Sequence, residues 1–167
     1  CKGECLGILA IILVGIVYVM YAPDYVLGGD NGEFVVLSRM PGIAHPPGYP
    51  LFVAYLRLMR WLPGTAARST ALATAILGVL QVSSCYLACR LFRISPLSSA
   101  ISIIFFAFSS LAIQINTHAE VFALNGLFTG LLLILCSPGL RVGSWKRVVL
   151  AAVVLGLGFC HHHSIVL

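Results

Sequence analysis

Charge is what this sequence has least of. Only 9% of its 167 residues are Asp, Glu, Lys or Arg, against roughly a quarter in a soluble domain. Hydrophobic residues make up 60%, and the mean hydropathy is +1.03. A chain of this size cannot enclose that much apolar side chain in one core, so lipid is part of its solvent. Nucleotide-binding signatures are missing too. There is no Walker loop and no GxGxxG, so ATP-driven and nicotinamide chemistry have no carrier, and no cofactor is implied. GxSxG and HExxH are likewise absent. No basic run interleaves with aromatics. The formal net charge of +5 therefore points to topology and lipid head groups, not to nucleic acid. The six cysteines form no CxxC pair and read as small apolar packing side chains.

What is present is a series of apolar runs, at 6–22, 71–89, 97–115, 121–136 and 148–167. Each approaches the ~20 residues needed to cross a bilayer. The expected fold class is all-α: a polytopic α-helical membrane protein with about five spans. The segment 23–70 is expected to form an outer loop with surface-lying helices. Within it, 50–62 carries Arg57 and Arg60 and is too short and too charged to span. If the spans alternate, Lys2, Arg90, Arg93, Arg141, Lys146 and Arg147 share one side, which makes that side cytoplasmic. Asp30, Glu33, His45, His118, Glu120 and the histidines at 161–163 then gather on the opposite side, together with Arg39, Arg57, Arg60 and Arg68, so the basic residues divide six against four. The chain starts at Cys1 and ends in an apolar run, which reads as a piece of a longer protein. No small-residue cleavage site precedes the first run, so that run is expected to stay as an anchor.

The polar stretch 28–50, GGDNGEFVVLSRMPGIAHPPGYP, is where a membrane protein of this kind would place its chemistry. Asp30 with Glu33 three residues on has the form of a capping box. The same pair can supply a carboxylate that acts as general base toward a hydroxyl. His45 is either a turn residue or a ligand for a phosphate or hydroxyl. Pro46 and Pro47 are expected to hold it and the following backbone extended. His118 and Glu120 border the fourth run. Glu120 is a helix-dipole partner or a supporting group for Asp30. Arg57, Arg60 and Arg68 either snorkel to the interface or grip a lipid phosphate. The three consecutive histidines cannot all point one way on a helix. A structural zinc site is not expected, because no tetrahedral partner set is spelled out.

Four motifs in order carry a family resemblance: Gly29-Asp30-Asn31-Gly32-Glu33, then Gly42-Ile43-Ala44-His45-Pro46-Pro47-Gly48-Tyr49-Pro50-Leu51-Phe52, then Ala119-Glu120-Val121-Phe122-Ala123-Leu124-Asn125, then His162-His163. Together they resemble the domain of unknown function 2723 family over nearly the whole chain. Asn31 stands where that family usually has Ser. The family in turn is similar to the GT-C class of membrane glycosyltransferases. The resemblance implies a sugar donor on a polyprenyl phosphate and inverting transfer to a hydroxyl on the extracytoplasmic face. Mannose is the candidate sugar, and protein Ser/Thr or a glycan the candidate acceptor. The setting is a bacterial inner membrane or the endoplasmic reticulum membrane. Carried over onto this chain, Asp30 is the base, with Glu33 beside it as a second catalytic carboxylate. His45, Tyr49, Arg57, Arg68, His118, Glu120, His162 and His163 are the substrate-binding candidates, and no metal is implied. The rival function is a transporter or lipid-handling scaffold. Its polar groups would sit mid-span, whereas here they cluster at one face.

Overall fold

A computed structural model describes residues 2–162, of which 2 and 3 are described in backbone only. Among them every regular element is helical: α1 (Lys2–Tyr21), α2 (Asn31–Arg39), α3 (Pro50–Leu58), α4 (Ala66–Leu91), α5 (Pro96–Ala107), α6 (Ser110–Thr117), α7 (Phe122–Cys136) and α8 (Ser144–His161). Three of these, α1, α4 and α8, are long and apolar enough to cross a membrane. His163, the last residue of the fourth motif, lies outside the described residues.

The expected third span, 97–115, is two helices. α5 and α6 meet at a 73° bend, and only together do they make a fourth candidate span. The break lies at Ser109, whose side chain caps α6 by accepting from the Ala112 N–H at 3.3 Å. The apolar average of the run hides this serine start signal. A broken helix in lipid must have its freed carbonyls satisfied. Here the Tyr18 hydroxyl of α1 donates to the Ala107 carbonyl at 3.0 Å and accepts from Asn116 Nδ2 at 3.2 Å. The expected span 121–136 is α7, with 15 residues. At 1.5 Å per residue it rises only ~22 Å, short of the ~30 Å hydrocarbon thickness. Three helices and one bent pair meet the length and composition of a span, and α7 is a shorter fifth apolar segment that ends beside the last turn of α4, where Gly139 N–H donates to Leu91 O at 3.1 Å.

α4 is the central helix, and it separates two apolar clusters. On one side Val14 and Tyr18 of α1 pack with Val82 and Tyr86 of α4 and Ile103 of α5. On the other, α2 and α3 bring Phe34, Leu37, Phe52 and Leu56 against Leu77 of α4 and Phe128 of α7. Small residues let α4 and α7 approach closely. A Cβ at Gly130 would meet the Ser84 side chain, with Ser84 Cβ at 2.9 Å. Gly130→Leu is expected to push α7 off α4 and cost about 1–3 kcal/mol, read as a lower Tm in detergent. An unchanged Tm would contradict the packing.

Arginines close the helix ends. The last carbonyls of any helix lack partners. Arg68 donates to Val19 O at 2.8 Å and also to Ala22 O, at the end of α1. Arg57 donates to Leu37 O at 3.0 Å in the last turn of α2, and to Met40 O at 3.0 Å and Gly42 O at 3.2 Å beyond it. Arg147 donates to Leu135 O and Ser137 O, each at 2.8 Å, at the end of α7. Arg57, Arg68 and Arg147 are therefore helix-end cappers.

Candidate active site

α2 begins directly after Asp30, and the local sequence explains why the expected capping box does not form. Asp30 has φ −72° and ψ −12° and makes no side-chain cap hydrogen bond. Its backbone is already helical, so its carboxylate does not reach the next free N–H groups. Asn31 works instead on the entering chain, accepting from the Leu27 N–H at 3.0 Å. Glu33 does not turn back to the helix start either. Its Oε1 accepts from the His45 backbone N–H at 2.8 Å, and its Oε2 lies 2.6 Å from His45 Nδ1. His45 Nε2 faces Asp30 Oδ2 at 3.6 Å.

The segment holding His45 is a tight turn, not the extended strand expected from Pro46 and Pro47. Gly48 N–H donates to His45 O at 2.8 Å, with Gly48 at φ +96°, a conformation that needs glycine. Tyr49 follows at φ 44°. That left-handed backbone is costly for a bulky residue, and burial of the ring offsets it. Tyr49 packs edge-on to His45 at 5.2 Å between centroids and stacks on His162 at 5.7 Å and 14°. Phe122, the first residue of α7, lies 6.0 Å from His162 between ring centroids.

His161 was not singled out from the sequence, yet it is the member of the histidine run that holds the site together. It is fully buried, and its Nε2 donates to the Val121 carbonyl at 2.9 Å. Its ring lies 6.2 Å from both Phe52 and Phe128. The end of α8 is thereby fastened to the start of α7 and to α3. A helical pattern that places one of three adjacent histidines inward was the available signal.

Charge at the site is negative. The bond to His45 holds the Glu33 carboxyl below the usual range. The same bond pushes the His45 imidazole up, and the Asp30, Glu33 and Glu120 charges add to it. Glu120, half-buried in the α6–α7 connection, is pushed up by burial and further by Asp30. The geometry therefore brings Asp30, Glu33, His45, Tyr49, Glu120 and His162 to one end of the helices.

Three other candidates stand apart. Arg57 and Arg68 have their guanidinium groups engaged by backbone carbonyls at helix ends, because those carbonyls have no other donor. His118 caps the end of α6 through its backbone, and burial pushes its imidazole down. Among the described residues no hydrogen bond or ring contact joins the His118 side chain to the cluster.

What this arrangement can do chemically is take a proton. Asp30 is the exposed carboxylate, and among the described residues no protein donor hydrogen-bonds it. Glu33 has both oxygens occupied.

Comparisons with known proteins place the chain. The family model "Protein O-mannosyl-transferase TMEM260 N-terminal domain" matches residues 30–167. The mouse protein named protein O-mannosyl-transferase TMEM260 is 34% identical over 99% of this chain and 25% of its own length. The Dictyostelium discoideum protein of the same name is 28% identical over 96% of this chain and 22% of its own length. The chain thus spans about a quarter of the length of these relatives, and no solved structure matches it. The matched segment opens at Asp30, the first residue of the carboxylate–histidine cluster, and takes in the other three motifs as well, so the chain belongs to the TMEM260 N-terminal domain family.

Proposed function

We propose that the protein containing this chain transfers mannose from a polyprenyl-phosphate donor to an acceptor hydroxyl, with protein Ser/Thr as the acceptor class. Asp30 is the general base. The hydroxyl oxygen attacks the sugar carbon that bears the lipid phosphate, and its proton passes to the Asp30 carboxylate. The carbon–oxygen bond to the phosphate breaks, and the electron pair leaves with the polyprenyl phosphate anion. Attack opposite the leaving group inverts the sugar carbon. No strong acid is required, since the phosphate leaves as an anion.

One observation supports Asp30 in this role above the others. It is an exposed carboxylate without a protein donor, beside a histidine that a second carboxylate holds in place. The relatives' printed names, protein O-mannosyl-transferase, support mannose as the sugar and a protein as the acceptor.

The experiment is transfer by the full-length protein from polyprenyl-phosphate mannose, with a nucleotide-linked mannose as the control donor. Label is expected on the acceptor protein from the lipid-linked donor alone. Transfer from the nucleotide sugar alone would overturn the donor class.

The site is assigned to the extracytoplasmic face, supported by the basic residues at the opposite helix ends. Tyr25 is 67% exposed in the segment between α1 and α2, and Ser144 is exposed at the start of α8. In a background without other cysteines, Tyr25→Cys is expected to react with an impermeant thiol reagent from outside. Ser144→Cys should react only after the membrane is opened. Labelling of both from one side would reverse the topology.

A further inference from the structure

We propose that Glu33 and His45 form a positioning pair for Asp30, in which Glu33 fixes the imidazole and the imidazole presents its Nε2–H edge to the Asp30 carboxylate. The proposal rests on the assignment of Asp30 as base. It removes Glu33 from the reacting groups and gives His45 a task other than substrate binding.

The geometry gives Glu33 no free oxygen. One accepts the His45 backbone N–H at 2.8 Å and the other faces Nδ1 at 2.6 Å. A carboxylate at that distance requires a proton on Nδ1. The remaining nitrogen, Nε2, faces Asp30 Oδ2 at 3.6 Å. A lone pair there would be repelled by the carboxylate, whereas an N–H is attracted. The ring is thus placed to be doubly protonated, between two carboxylates.

Its ring rests on an aromatic pair. Tyr49 packs edge-on to it at 5.2 Å and Phe34 at 6.4 Å, the two lying 5.7 Å from each other, and the backbone is tied by the turn to Gly48. At 3.6 Å the contact with Asp30 is electrostatic. Such contacts commonly tighten only once substrate is bound. Asp30 Oδ2 is then oriented by His45, and Oδ1 is the oxygen for the hydroxyl.

The chargeable groups around the ring all favour this form. Glu33 and Asp30 approach it from α2 and its start, and Glu120 from the α6–α7 connection. Tyr49 separates it from His161 and His162 at the end of α8. The imidazolium is present below the ordinary histidine value and persists above it, because Glu33 pushes the titration up. It is lost as pH rises through the raised value. Transfer should therefore fall on the alkaline side.

The test uses the full-length protein, with kcat and KM for polyprenyl-phosphate mannose measured against pH. His45→Asn retains an amide N–H near the Nδ1 position for Glu33 but has nothing at Nε2. It is expected to keep the wild-type Tm and donor KM, lose about 10- to 100-fold in kcat, and lose the alkaline fall. Glu33→Gln retains an acceptor without the charge, so the alkaline fall should move to lower pH. The double variant should be no slower than His45→Asn alone, because Glu33 acts only through His45.

An alkaline fall at the same pH in wild type and both single variants overturns the pair. So does a double variant in which the two losses multiply. If Asp30→Asn is inactive in either of these cases, the base assignment stands without the pair. Normal transfer by Asp30→Asn removes the base assignment and the pair together.

Discussion

Asp30→Asn in the full-length protein is expected to lower mannosyl transfer by about 10²–10⁴-fold, the usual worth of a general base, while membrane insertion and Tm stay at wild-type values. The substitution keeps the shape of the side chain and removes its capacity to take a proton. Stability should not suffer, because the Asp30 side chain caps nothing and its one close partner is His45 at 3.6 Å. Glu33→Gln should cost less, since Glu33 is bonded to His45 and not open to substrate. Glu120→Gln should also cost less, because that carboxyl is half-buried and pushed up by burial. Near wild-type transfer by Asp30→Asn, with transfer abolished by Glu120→Gln, would move the base to Glu120.

Phe52→Ala carries the largest expected loss of stability, about 3–5 kcal/mol. Phe52 is fully buried, three residues after Tyr49 in the chain. Its ring lies 5.0 Å from Phe34 in an edge-on arrangement and 6.2 Å from His161. Three elements, α2, α3 and the end of α8, therefore share this one side chain. Truncation leaves a cavity beneath the site that none of the three can fill without moving. The loss is to be read as a lower Tm of the purified full-length protein, and Phe52→Leu should recover much of it. A Phe52→Ala variant as stable as wild type would show that the three elements are held by other contacts.

Hydropathy made the long helices legible, because an apolar run bounded by Lys, Arg or Pro is a direct record of the bilayer. α1, α4 and α8 follow those runs. That 50–62 forms only a short helix was legible as well: α3 has 9 residues, which rise only ~13 Å. The break between α5 and α6 was not, since one serine in an apolar window changes its average little. The site was legible as a set of motifs but not as a network. Spacing suggested that Glu33 would return to the helix start, whereas a turn 12 positions away brings His45 to it. That contact depends on the Gly48 backbone and on Tyr49 packing against Phe34, neither of which leaves a periodic trace. The arginines were read as lipid contacts because the carbonyls they satisfy are invisible in sequence.

The central claim is that the end of the helices carrying Asp30 receives the lipid-linked sugar. A structure of the full-length protein with polyprenyl-phosphate mannose bound tests it most directly. The expected result is the sugar carbon that bears the phosphate lying next to Asp30, with His45 still between Asp30 and Glu33. A donor seated at the opposite end, beside Arg90 and Arg147, or with its sugar out of reach of Asp30, would contradict it.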